Sequence, residues 1–239
     1  MSSSEVKEEV TFEDKINILN VSEDDMIEGR SLGSMKCQLK FIQRADGSCA
    51  YSRNGNMLIC SVNGPGDVKQ EYRNDEKMFV DLTISGAKDR CSQIQLQDVI
   101  LPIVRSALVL ENHPRARLSI TCLEMEDQVI SYSDCINAIF LALLDNGIEM
   151  KYQFCAVTVV QDKNSRRFIL NPTKDEQKEA ECVYELVYKP SLTNGADLIG
   201  VECIGSFLFQ EFEDACRIGV KASCTIFDFF RNLMSRNLQ

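Results

Sequence analysis

Cys135-Ile136-Asn137-Ala138-Ile139-Phe140-Leu141-Ala142-Leu143-Leu144-Asp145-Asn146-Gly147-Ile148 is the stretch from which the rest of the chain can be read. From Asp134 to Asp145 apolar side chains fall on nearly every face of a 3.6-residue repeat, and such a helix is stable only when covered on several sides. Asn146-Gly147 ends it with a residue suited to positive φ. The segments before and after it therefore have to supply the cover.

Upstream, Arg117 to Met125 alternates as a strand. Before it, Gln93 to Leu110 places Ile94, Ile100, Ile103, Val104, Ala107 and Leu108 at helical spacing, with Pro102 expected to kink that helix or restart it. Cys37, Leu39 and Phe41 alternate with polar residues, Ala45-Asp46-Gly47-Ser48 makes a turn, and Cys49 to Arg53 returns. Asn54-Gly55-Asn56 turns into Met57 to Val62, a strand that Gly64-Pro65-Gly66 is expected to stop. Met78 to Ile84 alternates again, so an antiparallel meander is expected for the first third.

Downstream, Phe154 to Val160 and Arg167 to Leu170 read as a hairpin around Asp162 to Ser165. Cys182 to Tyr188 and Leu198 to Ile204 extend a second sheet through the turn Thr193-Asn194-Gly195. The last element is a long helix, Phe209 to Met234, with Phe212, Ala215, Gly219, Ala222, Ile226, Phe230 and Leu233 along one face. That face should lie across a sheet. The order of strands, helix, strand, helix, strands, helix gives an α+β class with two βα halves, mixed or antiparallel sheets and packed helices.

The 239 residues, 44% hydrophobic, are enough for a full core, and residues 35–239 are expected to form one domain behind a flexible acidic tail at 1–34. The opening residues form neither a secretory signal nor an Arg-rich transit peptide, which places the chain in the cytosol or nucleus. No apolar run is long enough to cross a bilayer, so no membrane partner is expected. The 11 cysteines include no C-x-x-C pair and have one histidine beside them, which argues against structural zinc and for buried apolar thiols. A net charge of -10 repels phosphate backbones on average. Any RNA work therefore belongs to an assembly in which partners supply basic surface.

Ala45-Asp46-Gly47-Ser48 with Leu58-Ile59-Cys60-Ser61-Val62-Asn63-Gly64-Pro65 resembles the ADGS and VxxxVxGP signature of RNase PH-like proteins, and Cys135 to Ile148 resembles their NAAxLALxDAGI helix. His113-Pro114-Arg115 stands where the family has its PR loop. The resemblance runs from Met35 to the C-terminus and is greatest to the ring subunits of the eukaryotic RNA exosome. It implies an RNase PH-like fold and a place among other RNase PH-like ring subunits and RNA-binding cap subunits, with RNA passing through the assembled channel. It also implies a nuclear and nucleolar as well as cytoplasmic location. A homodimer is expected when the chain is isolated.

Active relatives hold phosphate with a G-G/S-T/S-R turn before the middle helix, because an anionic nucleophile approaching an anionic diester needs fixed positive charge. Here Val129-Ile130-Ser131-Tyr132 stands in that place. Two acids suited to metal binding and general acid work are expected in the run that here reads Leu170 to Tyr184, and Gln177 and Val183 fall at their positions. A one-residue slip near Asn171-Pro172 would let Glu176 stand in for the first acid, but it would not restore the arginine. The resemblance thus implies a non-catalytic ring subunit with no cofactor and no metal, the alternative being an active phosphorolytic 3'-to-5' exoribonuclease. Asp175, Glu176, Glu179 and Glu181, interleaved with Lys174 and Lys178, read as a solvated surface rather than a magnesium site, and His113 as a loop residue. Lys88, Arg90, Arg105, Arg115 and Arg117 are the candidates for contacting RNA, against a reading as ordinary surface and ring-contact charge.

Overall fold

The computed structural model describes residues 10–12, 32–86, 90–125, 131–163 and 165–237. The first half of the chain forms β1 (Val10–Phe12), β2 (Met35–Leu39), β3 (Gly47–Arg53), β4 (Asn56–Asp67), β5 (Phe79–Ser85), α1 (Arg90–Ala107), β6 (Ala116–Glu124) and α2 (Tyr132–Asn146). The second forms β7 (Cys155–Asp162), β8 (Phe168–Leu170), α3 (Lys174–Glu179), β9 (Ala180–Ser191), β10 (Gly195–Gly205) and α4 (Phe209–Asn237). The strands make a six-stranded sheet in the order β1-β2-β3-β4-β6-β5 and a four-stranded sheet in the order β10-β9-β7-β8. This is the expected α+β fold.

Helix α2 is where the two sheets meet. It packs on β3, β4 and β6 of the first sheet and on β7 and β9 of the second, and every residue from Tyr132 to Leu143 is buried. Its one mid-helix amide explains how a polar group survives there. Asn137 donates to the Ala156 carbonyl at 3.0 Å and accepts from the Ala156 N–H at 2.9 Å. β8 pairs with β7 only at Val159 to Gln161, so the Ala156 backbone has no strand on that side, and Asn137 takes its place. Helix α4 lies on β7, β9 and β10 as its apolar face required, and Phe230 meets Phe140 of α2 at 4.8 Å between ring centroids. At Gly219 a Cβ would stand 2.4 Å from the Tyr188 hydroxyl, so the absence of a side chain lets that phenol reach the Cys216 carbonyl at 3.0 Å.

Two expectations need correction. The first third is not wholly antiparallel: β5 pairs with β6 in parallel, with α1 as the crossover between them. Gly64-Pro65-Gly66 does not stop β4, which continues to Asp67 on β6 across a register irregularity between Asn63 and Gly66. Proline, with no N–H to give the ladder, is tolerated at such a break. Of the two outcomes expected at Pro102, the restart does not occur: α1 runs through it to Ala107, after which Leu108 bridges to Met150. Of the acidic segment 1–34, Val10–Phe12 pairs antiparallel with β2 and Leu32 is buried, while 1–9 and 13–31 lie outside the described residues.

Candidate functional site

A cavity of about 330 Å³ opens where the β3–β4 turn, the start of α2, β7 and the segment before β9 converge. Its lining includes Arg53, Ser131, Asp134, Thr158, Asn171 and Gln177. Arg53 follows Cys49 and Tyr51 on the inward face of β3, and period-2 alternation carries its charge into the interior. It is 3% exposed. The first turn of α2 supplies the countercharge: Arg53 Nε lies 2.7 Å from Asp134 Oδ1, and Nη2 donates to Ser133 Oγ at 2.9 Å. Burial pushes the Asp134 carboxyl above the ordinary aspartate range even with Arg53 against it.

The chain of polar groups continues into the second sheet. Thr158 Oγ1 sits 2.8 Å from Ser133 Oγ and 2.6 Å from Glu185 Oε2, and a hydroxyl has one proton to give. Burial raises the Glu185 carboxyl to about 8. Thr158 gives that proton to Glu185 Oε2, which opposes the rise that burial causes, and Ser133 Oγ lies 3.1 Å from Ser131 Oγ. The positive charge at the helix start is spent on Asp134.

Beside this cluster, α3 begins with a capping box in which Thr173 N–H donates to Glu176 Oε2 at 2.7 Å. Glu176 is thus occupied in starting a helix. Asp175 is exposed and paired with Lys178 at 3.6 Å. No group of three His, Cys, Asp or Glu side chains among the described residues is placed to hold a metal ion.

Residues 31–149 match the 3' exoribonuclease family, domain 1, whose model is named RNase PH. The exosome complex component rrp46 of Schizosaccharomyces pombe is 33% identical over 73% of this chain and 78% of its own length. The chain belongs to the RNase PH family. The exosome complex component RRP46 homolog of Caenorhabditis elegans is 29% identical over 87% of this chain and 96% of its own. The crystal structure of rice Rrp46 superposes with a TM-score of 0.76, at 22% identity, over 86% of this chain and 96% of that one, which shows the same fold.

Set against the RNase PH pattern, the first residue of α2 is Tyr132, buried, with no hydrogen-bond partner for its hydroxyl. Burial and the nearby Glu185 and Glu202 push that phenol well above the ordinary tyrosine value, so it stays neutral. Gln177 lines the cavity with an amide, while Val183 sits on β9 opposite Val160 and Ile204 and offers no ligand atom. These residues do not fit a magnesium ion of the kind active relatives use.

The RNA candidates are not at the cavity. Arg115 pairs with Asp75 at 2.7 Å, Arg117 with Asp81 on β5, and Arg105 donates to the Val80 carbonyl at 2.9 Å. Arg105 and Arg117 thus border β5, and Arg115 meets the loop before it. Lys88 lies outside the described residues, and Arg90 is placed only as the first residue of α1. His113 ends a short 3-10 turn, as a loop residue should. Sequence reading missed Arg53, Asp134 and Glu185. The signal was present: a charged residue two positions after Cys49 and Tyr51 on an inward-facing strand demands a buried partner.

Proposed function

We propose that this chain is a non-catalytic structural subunit of the RNA exosome core ring, supporting 3'-to-5' RNA processing and degradation by helping to build the RNA channel. The observation that carries the reading is the start of α2, where a buried neutral phenol stands at the phosphate-cradle position and the nearby guanidinium is neutralised by Asp134. An incoming phosphate would have to shed water beside RNA with no free countercharge. Losing one such contact costs about 3 kcal/mol, on the order of a hundredfold in rate, and the loss of the acid pair adds to it.

Assembly is supported by the second sheet. β10 is its edge strand and exposes Leu198, Val201 and Ile204, and Phe207, Leu208 and Phe209 follow them into α4. Such an edge calls for a neighbour. Other RNase PH-like ring subunits and cap subunits are the partners, in the nucleus and nucleolus and in the cytoplasm. Isolated chain is expected to dimerise, which light scattering reads directly. RNA contact falls to Lys88, Arg90, Arg105, Arg115 and Arg117.

The test is purified chain given single-stranded RNA, phosphate and magnesium. No nucleoside diphosphate should appear above background, with or without Tyr132→Arg. Phosphate-dependent release abolished by Glu176→Gln would reject the reading.

A further inference from the structure

Four thiols lie side by side in the first sheet, and a fifth reaches them from α2. Cys49, Cys60 and Cys122 are direct cross-strand partners on β3, β4 and β6. Cys37 on β2 lies diagonal to Cys49, whose own partner is Leu39. Cys135 reaches from the first turn of α2 to put its Sγ 3.9 Å from that of Cys122. None of the five is more than 1% exposed. Packing alone asks only for small apolar groups here, and a metal cluster finds no three-donor arrangement among the described residues. What remains is pairwise sulfur chemistry.

We propose that Cys122 and Cys135 form an oxidation site that takes a two-electron oxidant of the peroxide class and closes a disulfide between β6 and α2, with Cys60 as the exchange partner. The two sulfurs have to approach from 3.9 Å to about 2.05 Å, a movement of under 2 Å shared between a strand and a helix turn. The nucleophile is Cys122. Thiol hydrogen bonds from Cys135 and Cys60 hold it below the ordinary thiol value against burial, whereas Cys135 and Cys60 are pushed up.

In the first step the Cys122 sulfur attacks one peroxide oxygen. The S–O bond forms, the O–O bond breaks, and the departing hydroxide takes the thiol proton as water. The Cys135 sulfur then attacks Cys122: the S–S bond forms, the S–O bond breaks, and a second water leaves. Two thiols and one hydrogen peroxide thus give one disulfide and two waters. Because both sulfurs are buried, the rate follows local opening of the α2 start from β6. Once closed, the bond ties down the turn that also carries Ser133 and Asp134.

The experiment treats the full folded chain with hydrogen peroxide, blocks free thiols with N-ethylmaleimide, and maps non-reduced peptides by mass spectrometry. The expected result is a Cys122–Cys135 cross-link that disappears on reduction. In Cys135→Ala the link should move to Cys60–Cys122, and in Cys122→Ala links at this cluster should fall at least tenfold. Recovery of Cys122 as free thiol, or only as sulfinic or sulfonic acid, in the oxidised wild-type chain would overturn the proposal. So would cross-links confined to the less buried Cys203, Cys216 and Cys224. The wild-type map decides the matter even if a variant fails to fold.

Discussion

At its C-terminal end α2 is knitted into the first sheet by backbone and short polar side chains, whereas its N-terminal end is tied by buried charge. Asp145 accepts from the Ser48 N–H at 2.9 Å, Asn146 donates to the Gly64 carbonyl at 3.0 Å, and Asp46 accepts from the Gly64 N–H at 2.7 Å. Three short motifs, Ala45 to Ser48, Asn63 to Pro65 and Asp145 to Gly147, therefore close one structural knot. At the other end Ser131, Tyr132 and Asp134 meet Arg53 and Glu185. The contrast is between an end held by short motifs that resemble the RNase PH signature and an end packed as core around a buried ion pair and a neutral phenol.

The sharpest way to break that comparison is Arg53→Met. It leaves Asp134 buried without its partner and should cost 3–5 kcal/mol by urea unfolding, the usual effect of orphaning one half of a buried pair. Arg53→Met with Asp134→Leu should return close to wild-type stability, since replacing both charges by apolar groups is often neutral or better. A single variant that loses under about 1 kcal/mol would mean that cavity water takes over the guanidinium's role. The N-terminal end would then not be core at all.

Gly47→Ala probes the other end. The added Cβ would lie 2.5 Å from the Asn146 backbone nitrogen and 2.6 Å from the Ala142 carbonyl oxygen, so helix and strand have to part. Overpacking of this kind costs about 1–3 kcal/mol. Thermal unfolding should show the loss, with no change in the pH dependence of stability. A shift in that dependence would mean that the two ends are mechanically coupled through α2.

How legible each end was follows from the range of its contacts. Asn146-Gly147 and the all-round apolar run can be read locally, because helix period and cap lie within consecutive residues. The parallel pairing of β5 with β6 could not be read from the alternation in either strand, since alternation carries no direction and only the α1 crossover sets it. Arg53 and Ser133, with 80 positions between them in sequence, meet only after the sheet and helix pack. The sequence carried the charge at an inward strand position, but no local rule names its partner. Tyr132 was legible for the opposite reason, as a departure from a family pattern rather than as a contact.

The smallest expected effect is a slope. Glu185 has an ordinary glutamate value of 4.5 in the unfolded chain and about 8 in the folded one, raised chiefly by burial, with Asp134 adding to the rise and Thr158 and Arg53 opposing it. Between those values the folded chain keeps a proton that the unfolded chain has released, so raising the pH favours unfolding. The contribution is fully favourable below about 4.5, is lost as pH rises toward about 8, and is flat beyond. Over one pH unit inside that window the change is about 1.4 kcal/mol. Glu185→Gln retains an oxygen able to accept from Thr158 and has nothing to titrate, so its stability should stay level where the wild type falls. Urea unfolding of both proteins at pH 6 and pH 7 makes the comparison, and the Asp134 carboxyl, also raised, is common to both and drops out of the difference. Parallel profiles would mean that Glu185 is ionised in the folded chain. The N-terminal end of α2 would then carry a net negative charge, still more hostile to phosphate.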